Sequence, residues 1–366
     1  IEQQLKEQMK IPVMHDDQHG TAIISGAALL NALGLQKKKI DRVRFVVNGA
    51  GAAAMACVQL YVALGARYEN FIMFDKDGVI HEGRTDLDAT RKKFAVKKSD
   101  ATLDKAMRDA DIFLGLSIGG VVTPDMVKSM AKNPIVFAMA NPDSEIAYDT
   151  GIAARKDIIL ATGRSDFPNQ VNNVLGFPYI FRGALDVRAT KINEDMKKAA
   201  VVALAELAKE SVPEQVNIAY GETKLNFGKE YIIPKPFDPR LIARVPLAVA
   251  KAAMESGVAL QPITDWDKYE EELLERLGSD NKMVRLLTNR AKTEPKRVVF
   301  AEADHLDVLK AAQIVYEEGI AHPILLGNKE LILELKEEIG FDADVPIFDP
   351  KTKEEDNRRL NYANHY

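Results

Sequence analysis

The feature that most restricts the fold is a glycine-rich turn between a predicted strand and a predicted helix. Residues 49–54 read GAGAAA, which fits the pattern G-x-G-x-x-A. An apolar run at 43–47, rich in β-branched residues, precedes the turn, and an alanine-rich stretch to about residue 64 follows it. Two glycines allow a tight turn there, and the free N–H groups of a helix N-terminus can bind phosphate. The segment predicts a dinucleotide-binding turn, and the alternative is a turn that only packs a helix tightly.

Similar strand-like runs recur along the first half of the chain. They lie at 71–74, 112–114, 135–138 and 158–161, and helical segments separate some of them. In the stretch 123–132, Thr123 is suited to an N-cap and Pro124 to the first helical position. Strands that alternate with helices predict an α/β fold with a doubly wound, mostly parallel sheet of the Rossmann type.

The chain is long enough for two or three domains. We expect a cofactor-binding domain over 1–212 and a largely helical connector over 213–296, where prolines and charged helices dominate. A new alternation of strands and helices begins at Arg297. Residues 297–366 are therefore expected to be the start of a second α/β domain.

Two residues near the second strand bear on the choice of cofactor. The turn itself predicts a pyrophosphate loop made of Gly49, Ala50, Gly51, Ala52 and Ala53. Asp75 lies 26 residues after Gly49, since 75 − 49 = 26, at the end of the next strand, where an acid that binds the ribose is expected. A ribose-binding acid favours NAD. Lys76 follows directly and could pair with the 2′-phosphate of NADP, so the residues leave this choice open.

The segment His15-Asp16-Asp17-Gln18-His19-Gly20 is a candidate metal site. Adjacent carboxylates at a helix entrance offer hard oxygen ligands to Mg²⁺ or Mn²⁺. The alternative is the acidic first turn that any helix can have. His15 and His19 are expected to be hydrogen-bonded structural residues, because one Asp and two His at this spacing match no zinc template.

Neutral polar residues cluster near the carboxyl ends of two later strands. Asn141 follows the run at 135–138, at the edge of the sheet where ligands bind in doubly wound folds. The stretch 161–186 supplies further amides suited to a small dicarboxylate or to a nicotinamide amide, namely Asn169, Gln170, Asn172 and Asn173. The alternatives are an Asx-type turn and a helix cap.

Composition excludes several other classes of protein. The net charge of −5 and the pI of about 5.8 argue against a nucleic-acid partner. No uncharged apolar stretch of about 18 residues exists in the sequence, so no membrane span is expected. The single cysteine, Cys57, excludes a disulfide framework. We therefore expect a cytoplasmic protein.

Five segments together resemble one family, the bacterial malic enzymes. They read IPVMHDDQHGTA, VVNGAGAAAMAC, FLGLS, ANPDSEI and ATGRSDFPNQVNNVLGFPYIFRGALD. The segment from Arg297, with VVFAEADHLDVLKAAQIVYEEGIAHPILLG, is similar to the beginning of a phosphate acetyltransferase domain. That pairing resembles the larger bacterial malic enzymes. In that family residues 1–20 would correspond to the end of the substrate and metal region.

The resemblance implies metal-dependent oxidative decarboxylation of L-malate to pyruvate and CO₂, with hydride transfer to NADP⁺ and with Mg²⁺ or Mn²⁺. It implies NADP rather than NAD as the usual cofactor. By the same resemblance, Asp17 is the metal ligand and Asp16 is its neighbour in the charge network. Asn141 lies near nicotinamide and substrate, and Asn172 and Asn173 lie on the substrate side.

The resemblance also implies that this chain is a fragment that does not turn over alone. The family's base lysine, its catalytic tyrosine and a Glu-Asp pair of metal ligands would precede Ile1. The acetyltransferase-like part would be a regulatory module that senses acetyl-CoA and forms homo-oligomers. The alternatives are another dehydrogenase with this cofactor fold, a phosphate acetyltransferase with a nucleotide-binding half, and a nucleotide-binding regulatory scaffold.

Overall fold

A six-stranded sheet organises the first part of the chain. The computed structural model describes residues 2–97, 101–222, 225–277 and 282–365. In chain order the elements up to the sheet's last strand are α1 (Glu2–Gln8), α2 (Asp16–Leu35), β1 (Phe45–Asn48), α3 (Ala52–Ala63), β2 (Phe71–Asp75), β3 (Gly78–Val79), α4 (Ala89–Lys92), α5 (Leu103–Met107), β4 (Ile112–Gly115), α6 (Pro124–Ser129), β5 (Ile135–Ala138), α7 (Tyr148–Ala154) and β6 (Ile159–Thr162).

Helices then dominate before a second sheet begins. The remaining elements are α8 (Phe177–Asp186), α9 (Glu194–Leu207), α10 (Glu214–Tyr220), α11 (Leu241–Glu255), α12 (Trp266–Glu275), α13 (Lys282–Thr293), β7 (Lys296–Ala301), α14 (Leu306–Glu317), β8 (Ala321–Leu326), α15 (Lys329–Ile339), β9 (Ile347–Phe348) and α16 (Asp356–Ala363). The described helices include none with the length and apolarity that a bilayer crossing requires.

The strand order of the first sheet is β3-β2-β1-β4-β5-β6. Every pair is parallel except β2 and β3, which are antiparallel. The chain leaves β1 toward β2 on one side and returns to β4 on the other, so the topological switch point lies between β1 and β4. Ligands of doubly wound sheets bind outside the carboxyl ends of the strands at this point.

Both faces of this sheet are covered. Phe45 and Val47 belong to one buried cluster and Val46 to the other, because successive residues of a strand face opposite sides. The larger cluster includes the apolar residues of α2, α3, α8, α9 and α11. The smaller cluster is formed with α5, α6 and α7. The predicted fold class, a doubly wound α/β sheet, is confirmed.

The structure divides the chain at other residues than those predicted. One compact unit contains Ile1–Lys209 and Gly228–Leu274, and the other contains Glu210–Phe227 and Glu275–Tyr366. The expected connector over 213–296 is thus divided between the two units, with Gly228–Leu274 in the first and the rest in the second. The physical reason lies in α11, which buries Leu241, Val245 and Val249 in the core of the first unit. Gly183 of α8 lets α11 approach closely, since a Cβ there would lie 2.4 Å from the carbonyl oxygen of Pro246.

The second unit has its own parallel sheet and core. Its strands are ordered β7-β8-β9. Leu309, Leu325, Ile332 and Phe341 are among the residues that form its buried cluster. The segment 210–227 joins this unit through hydrogen bonds such as that from Ser211 Oγ to Glu317 Oε2 (2.6 Å) and that from Asn226 Nδ2 to the Glu338 carbonyl (2.9 Å).

Candidate active site

The glycine-rich turn lies where three strands end. Gly49 has a φ of +111°, and its N–H donates to the carbonyl of Phe74 at 2.9 Å. A Cβ at Gly49 would lie 2.4 Å from the carbonyl oxygen of Leu116, which follows β4. Both the positive φ and this close approach require glycine. The turn is therefore fixed between the ends of β1, β2 and β4.

At Gly51, by contrast, neither the backbone conformation nor a close protein contact requires glycine. It is the N-cap of α3, with an ordinary φ of −73° and no side-chain cap. A Cβ there would have nothing within 4 Å. Ala52 after it is exposed, so the N-terminus of α3 opens onto free space. This space and the uncapped N–H groups fit the pyrophosphate of a dinucleotide.

The acid predicted to bind the ribose already has a partner. Asp75 Oδ1 and Oδ2 accept hydrogen bonds from the two terminal nitrogens of Arg84, each at 2.8 Å. These bonds lower the pKa of Asp75 below its ordinary value. Arg84 also binds Asp86, with 2.6 Å between Nη2 and Oδ2. Lys76 is 89% exposed at its side chain, and its Nζ lies 3.6 Å from Asp77 Oδ2.

Arg91 is a residue of this site that the sequence analysis missed. It lies on the short helix α4, and its Nε donates to the carbonyl of Ala50 at 3.1 Å. Its other close partner among the described residues is Asp88, 3.6 Å from Nε. The terminal nitrogens of its guanidinium group are thus held beside the turn without a hydrogen-bond partner in the described ranges. Only a weak helical pattern marks this segment in the sequence.

The two acids at the start of α2 differ in environment. Asp17 is exposed, whereas Asp16 is half-buried. Asp16 Oδ1 is buried and has no hydrogen-bond partner in the described structure, and burial raises the pKa of this carboxyl. Gly20 makes room for it, since a Cβ there would lie 2.0 Å from Asp16 Oδ1.

Asn173 is brought to this corner from far along the chain. Its Nδ2 donates to the Asp16 carbonyl at 3.3 Å, and its Oδ1 accepts from Thr21 Oγ1 at 3.1 Å. Asn172 beside it caps a short turn, because its Oδ1 accepts from the N–H of Val174 at 3.0 Å. The start of α2 and the loop after β6 thus form one polar corner.

The two histidines of the segment fit the structural interpretation. The Nδ1 of His19 is 3.1 Å from Lys197 Nζ, and its Nε2 is 3.1 Å from Glu2 Oε1. Burial lowers the pKa of His19. His15 is exposed and precedes α2 as its N-cap, although its side chain makes no cap hydrogen bond.

The corner fits part of a site for a hard cation. A free carboxylate on Asp17 and an unpartnered oxygen on Asp16 are suitable donors, but Mg²⁺ takes about six oxygen ligands. Throughout the described ranges, the one group of three or more acids, histidines or cysteines with ligand atoms close together is Asp75, Asp77 and Asp86. Arg84 is paired with these three acids, and the group does not include Asp16 or Asp17.

Two further amide residues, Asn141 and Asn169, differ in exposure. Asn141 follows β5 at the carboxyl edge of the sheet and is exposed, with a cis bond to Pro142. Asn169 is buried, and its amide bonds the carbonyls of Leu160 and Lys229 and the N–H of Ile232. Asn169 therefore fits the structural alternative, because both N–H groups and the oxygen of its side-chain amide are hydrogen-bonded to the backbone.

Glu145 is a second residue that the sequence analysis missed. Its carboxylate is fully buried and accepts hydrogen bonds from the backbone N–H groups of Ser117 (3.0 Å) and Ala140 (3.1 Å). Burial raises the pKa of Glu145, and the hydrogen bonds oppose this shift. Its position in the sequence, four residues after Asn141, gave no sign of this contact with the loop after β4.

The strand order, the glycine turn and the open helix N-terminus define a dinucleotide-binding protein of the Rossmann class. Residues 18–222 match the family "Malic enzyme, NAD binding domain", and residues 282–366 match "Phosphate acetyl/butaryl transferase". The first match covers more than half of the chain, and this chain belongs to the malic enzyme family.

Curated relatives and solved structures agree with this membership. The chain is 50% identical over 361 residues to an NADP-dependent malic enzyme of Haemophilus influenzae, covering 98% of this chain and 48% of the relative. It is 47% identical over 365 residues to an NAD-dependent malic enzyme of Rhizobium meliloti, with coverage of 97% and 47%. The crystal structure of the Entamoeba histolytica malic enzyme matches with a TM-score of 0.66 and 37% identity, covering 79% of this chain and 59% of that one. The chain spans about half the length of the curated relatives it matches.

Proposed function

We propose that this chain carries the cofactor-binding part, and one side of the metal site, of an enzyme that oxidises and decarboxylates L-malate to pyruvate and CO₂. The observation that carries the proposal is the open N-terminus of α3 behind Gly51. Protein packing there does not require glycine, but a bound pyrophosphate does. Membership of the malic enzyme family supports malate as the substrate.

The cofactor would be held by the backbone of the glycine turn. The N–H groups at the start of α3, from Gly51 to Ala53, would donate to the pyrophosphate. A bound nicotinamide would supply the acceptor for the hydride from C2 of malate. Asn141 at the end of β5 is assigned to the side of the site where the nicotinamide and substrate lie. The loop residues Gly49 and Ala50 keep the turn in the required shape.

We propose NADP as the preferred cofactor. The 2′-phosphate of NADP is an anion, and arginine binds phosphate groups well through its planar set of donors. Arg91 beside Ala50 and the exposed Lys76 both have donors available near the turn. Asp75, the hint toward NAD, is paired with Arg84, which it shares with Asp86, and it therefore repels a 2′-phosphate less than an unpaired acid would. The relatives include both an NADP-dependent and an NAD-dependent malic enzyme.

The metal would be held in part by Asp17, with Asp16 beside it. A divalent cation such as Mg²⁺ or Mn²⁺ would act there as a Lewis acid on the malate hydroxyl. Asn173 fixes the backbone at Asp16, and Asn172 lies next to it on the substrate side. Because these residues supply too few ligands for Mg²⁺, we propose that other acids complete the site and that this chain alone does not turn over.

The second unit suggests a further role, in regulation or in acetyl transfer. Its match to phosphate acetyltransferases covers residues 282–366. An acetyl-CoA-responsive module that also forms homo-oligomers stays a prediction, as does the alternative of acetyl transfer. Formation of acetyl phosphate from acetyl-CoA and phosphate would support the alternative.

The test compares cofactor binding with turnover in one sample. NADPH binding by the chain is followed by the change in NADPH fluorescence, and malate-dependent reduction of NADP⁺ is measured with Mn²⁺. We expect binding without turnover. Failure of the folded chain to bind NADPH would overturn the cofactor assignment. Turnover would show that the base and the further metal ligands lie within these residues.

A further inference from the structure

Glu145 is the one fully buried acid that accepts hydrogen bonds from two different loops at the carboxyl edge of the first sheet, within the described residues. Its Oε1 accepts from Ser117 N–H in the loop after β4, and its Oε2 accepts from Ala140 N–H after β5. One carboxylate therefore connects the ends of two neighbouring strands.

The carboxylate of Glu145 has space because the facing residue, Gly115, has no side chain. Gly115 ends β4, and a Cβ there would lie 2.3 Å from the Cδ of Glu145. The described residues offer Glu145 no ion pair with a lysine, arginine or histidine. An isolated buried carboxylate is costly unless hydrogen bonds satisfy it, so the two N–H donors are essential for keeping it there.

The two loops that Glu145 connects lie beside residues of the cofactor site. Ser117 Oγ accepts a hydrogen bond from Asn48 Nδ2 at 2.6 Å, which links this loop to the end of β1. The neighbouring Leu116 carbonyl is the group that Gly49 approaches. Ala140 is followed directly by Asn141. Glu145 thus acts on both loops through their backbone N–H groups.

These loops are on the nicotinamide side of the proposed cofactor. A dinucleotide lies across the switch point, with its pyrophosphate at the turn after the first strand. Asp75 after β2 marks the adenosine side, so the loops after β4 and β5, on the opposite side of β1, face the other half of the ligand.

We propose that Glu145 is a positioning residue for the nicotinamide half of the cofactor. It holds the Ser117 loop and the Ala140–Asn141 loop in one relative geometry, so that both meet the ring and its ribose without rearrangement. This inference rests on the proposed cofactor function. It assigns to Glu145 no direct contact with the ligand.

Glu145→Gln tests the inference with little change of shape. One oxygen becomes an NH₂ group, which cannot accept the backbone N–H that faces it. The two ligands are NADPH and 2′-phospho-ADP-ribose, which lacks the nicotinamide. We expect NADPH binding to weaken by about tenfold, the scale of one lost hydrogen bond to a charged group. We expect the affinity for 2′-phospho-ADP-ribose, measured by competition with NADPH, to stay within about twofold of the unchanged chain, because the adenosine side and the turn are untouched.

Asp157→Asn is the matched control. Asp157 also accepts a backbone N–H, from Asn133 at 2.8 Å, but it precedes β6 and so lies at the opposite edge of the same sheet. The Asp157→Asn change should leave the ratio of the affinities for NADPH and 2′-phospho-ADP-ribose unchanged. Amide hydrogen exchange of the cofactor-free chains adds a second readout, since Glu145→Gln should raise exchange at 115–122 and 139–146.

The outcomes separate this inference from the proposed function. Equal weakening of both ligands, or unchanged NADPH binding, overturns the positioning role. If the unchanged chain binds neither ligand, the cofactor assignment fails and the inference falls with it. If Glu145→Gln does not fold, Gly115→Ala displaces the same carboxylate, and the same selective loss of NADPH is expected. Its absence there would equally overturn the inference.

Discussion

Arg84 binds both carboxyl oxygens of Asp75 at the end of β2, with two parallel hydrogen bonds of 2.8 Å. This pairing places a guanidinium group where a sequence pattern alone predicts a free acid. The Asp75 carboxylate is oriented by Arg84 before any cofactor arrives, and it shares that guanidinium group with Asp86. It can still contact a ribose, but it does not present an isolated negative charge to a 2′-phosphate.

The pairing predicts a pH-dependent contribution to stability. The pKa of Asp75 is lowered in the folded chain, so its stabilising effect is present above the unfolded pKa of about 3.9 and is lost as the pH falls through the lower folded value. Arg84→Gln should therefore lower the melting temperature clearly at pH 7 and much less near pH 2, because Arg84 also lowers the pKa of Asp86, to about 2. Arg108→Gln, which breaks an exposed pair with Asp104, is the control and should have little effect at either pH. A loss of the same size at both pH values would contradict this linkage.

Gly51→Val should block cofactor binding while the fold survives. The side chain enters the open space before α3 and meets no protein atom within 4 Å of its Cβ, but it fills the place proposed for the pyrophosphate. Thermal unfolding and NADPH titration measure the two effects separately. Gly34→Val is the control, since Gly34 in α2 is equally open and lies in a different element. Normal NADPH affinity in Gly51→Val would remove the turn from the site.

Arg91→Gln should weaken NADP⁺ binding by about tenfold or more, the loss expected for hydrogen bonds to a charged group. NAD⁺ binding should change much less, because it lacks the 2′-phosphate. Dissociation constants for both cofactors, measured on the same preparation, give the ratio that matters. Lys93→Gln removes a neighbouring exposed charge and should leave that ratio unchanged. Equal losses for both cofactors would assign Arg91 to the support of the turn through Ala50 only.

In a preparation that oxidises malate, Asp17→Asn should remove the Mn²⁺-dependent activity, because it deletes the proposed anionic oxygen ligand. The loss should exceed the roughly 10- to 100-fold effect of changing groups outside the ligand shell. Initial rates over a range of Mn²⁺ concentrations provide the measurement. Asp125→Asn changes a comparable exposed acid in the first turn of α6 and should have no effect. Unchanged metal dependence in Asp17→Asn would refute the assignment.

The sequence predicts the sheet well because its strands are short, fully buried apolar runs. The predicted runs at 71–74 and 135–138 correspond closely to Phe71–Asp75 and Ile135–Ala138. Local sequence also marks helix starts, as at Thr123, whose side chain accepts from the N–H of Met126. The two-residue strands β3 and β9 were not predicted, since so few residues carry no periodic signal.

The side chains of the site were harder to predict, because their partners are distant in the sequence. The local sequence allows Asn169 to be a ligand, because its backbone partners at Lys229 and Ile232 lie about sixty residues further along the chain. Glu145 looks like an ordinary loop acid in the sequence, which does not show that the missing side chain of Gly115 leaves space for its carboxylate. In contrast, the glycine turn could be predicted because its requirements are local: a strand, two glycines and a helix.

The course of the chain between the two units limits how such a protein can be recombined. It leaves the first unit after Lys209, returns at Gly228 and leaves again after Leu274. A single crossover between two genes exchanges everything on one side of one point. No such crossover can transfer one unit by itself, because residues 228–274 of the first unit stand between the segment 210–227 and the rest of the second unit, which resumes at Glu275.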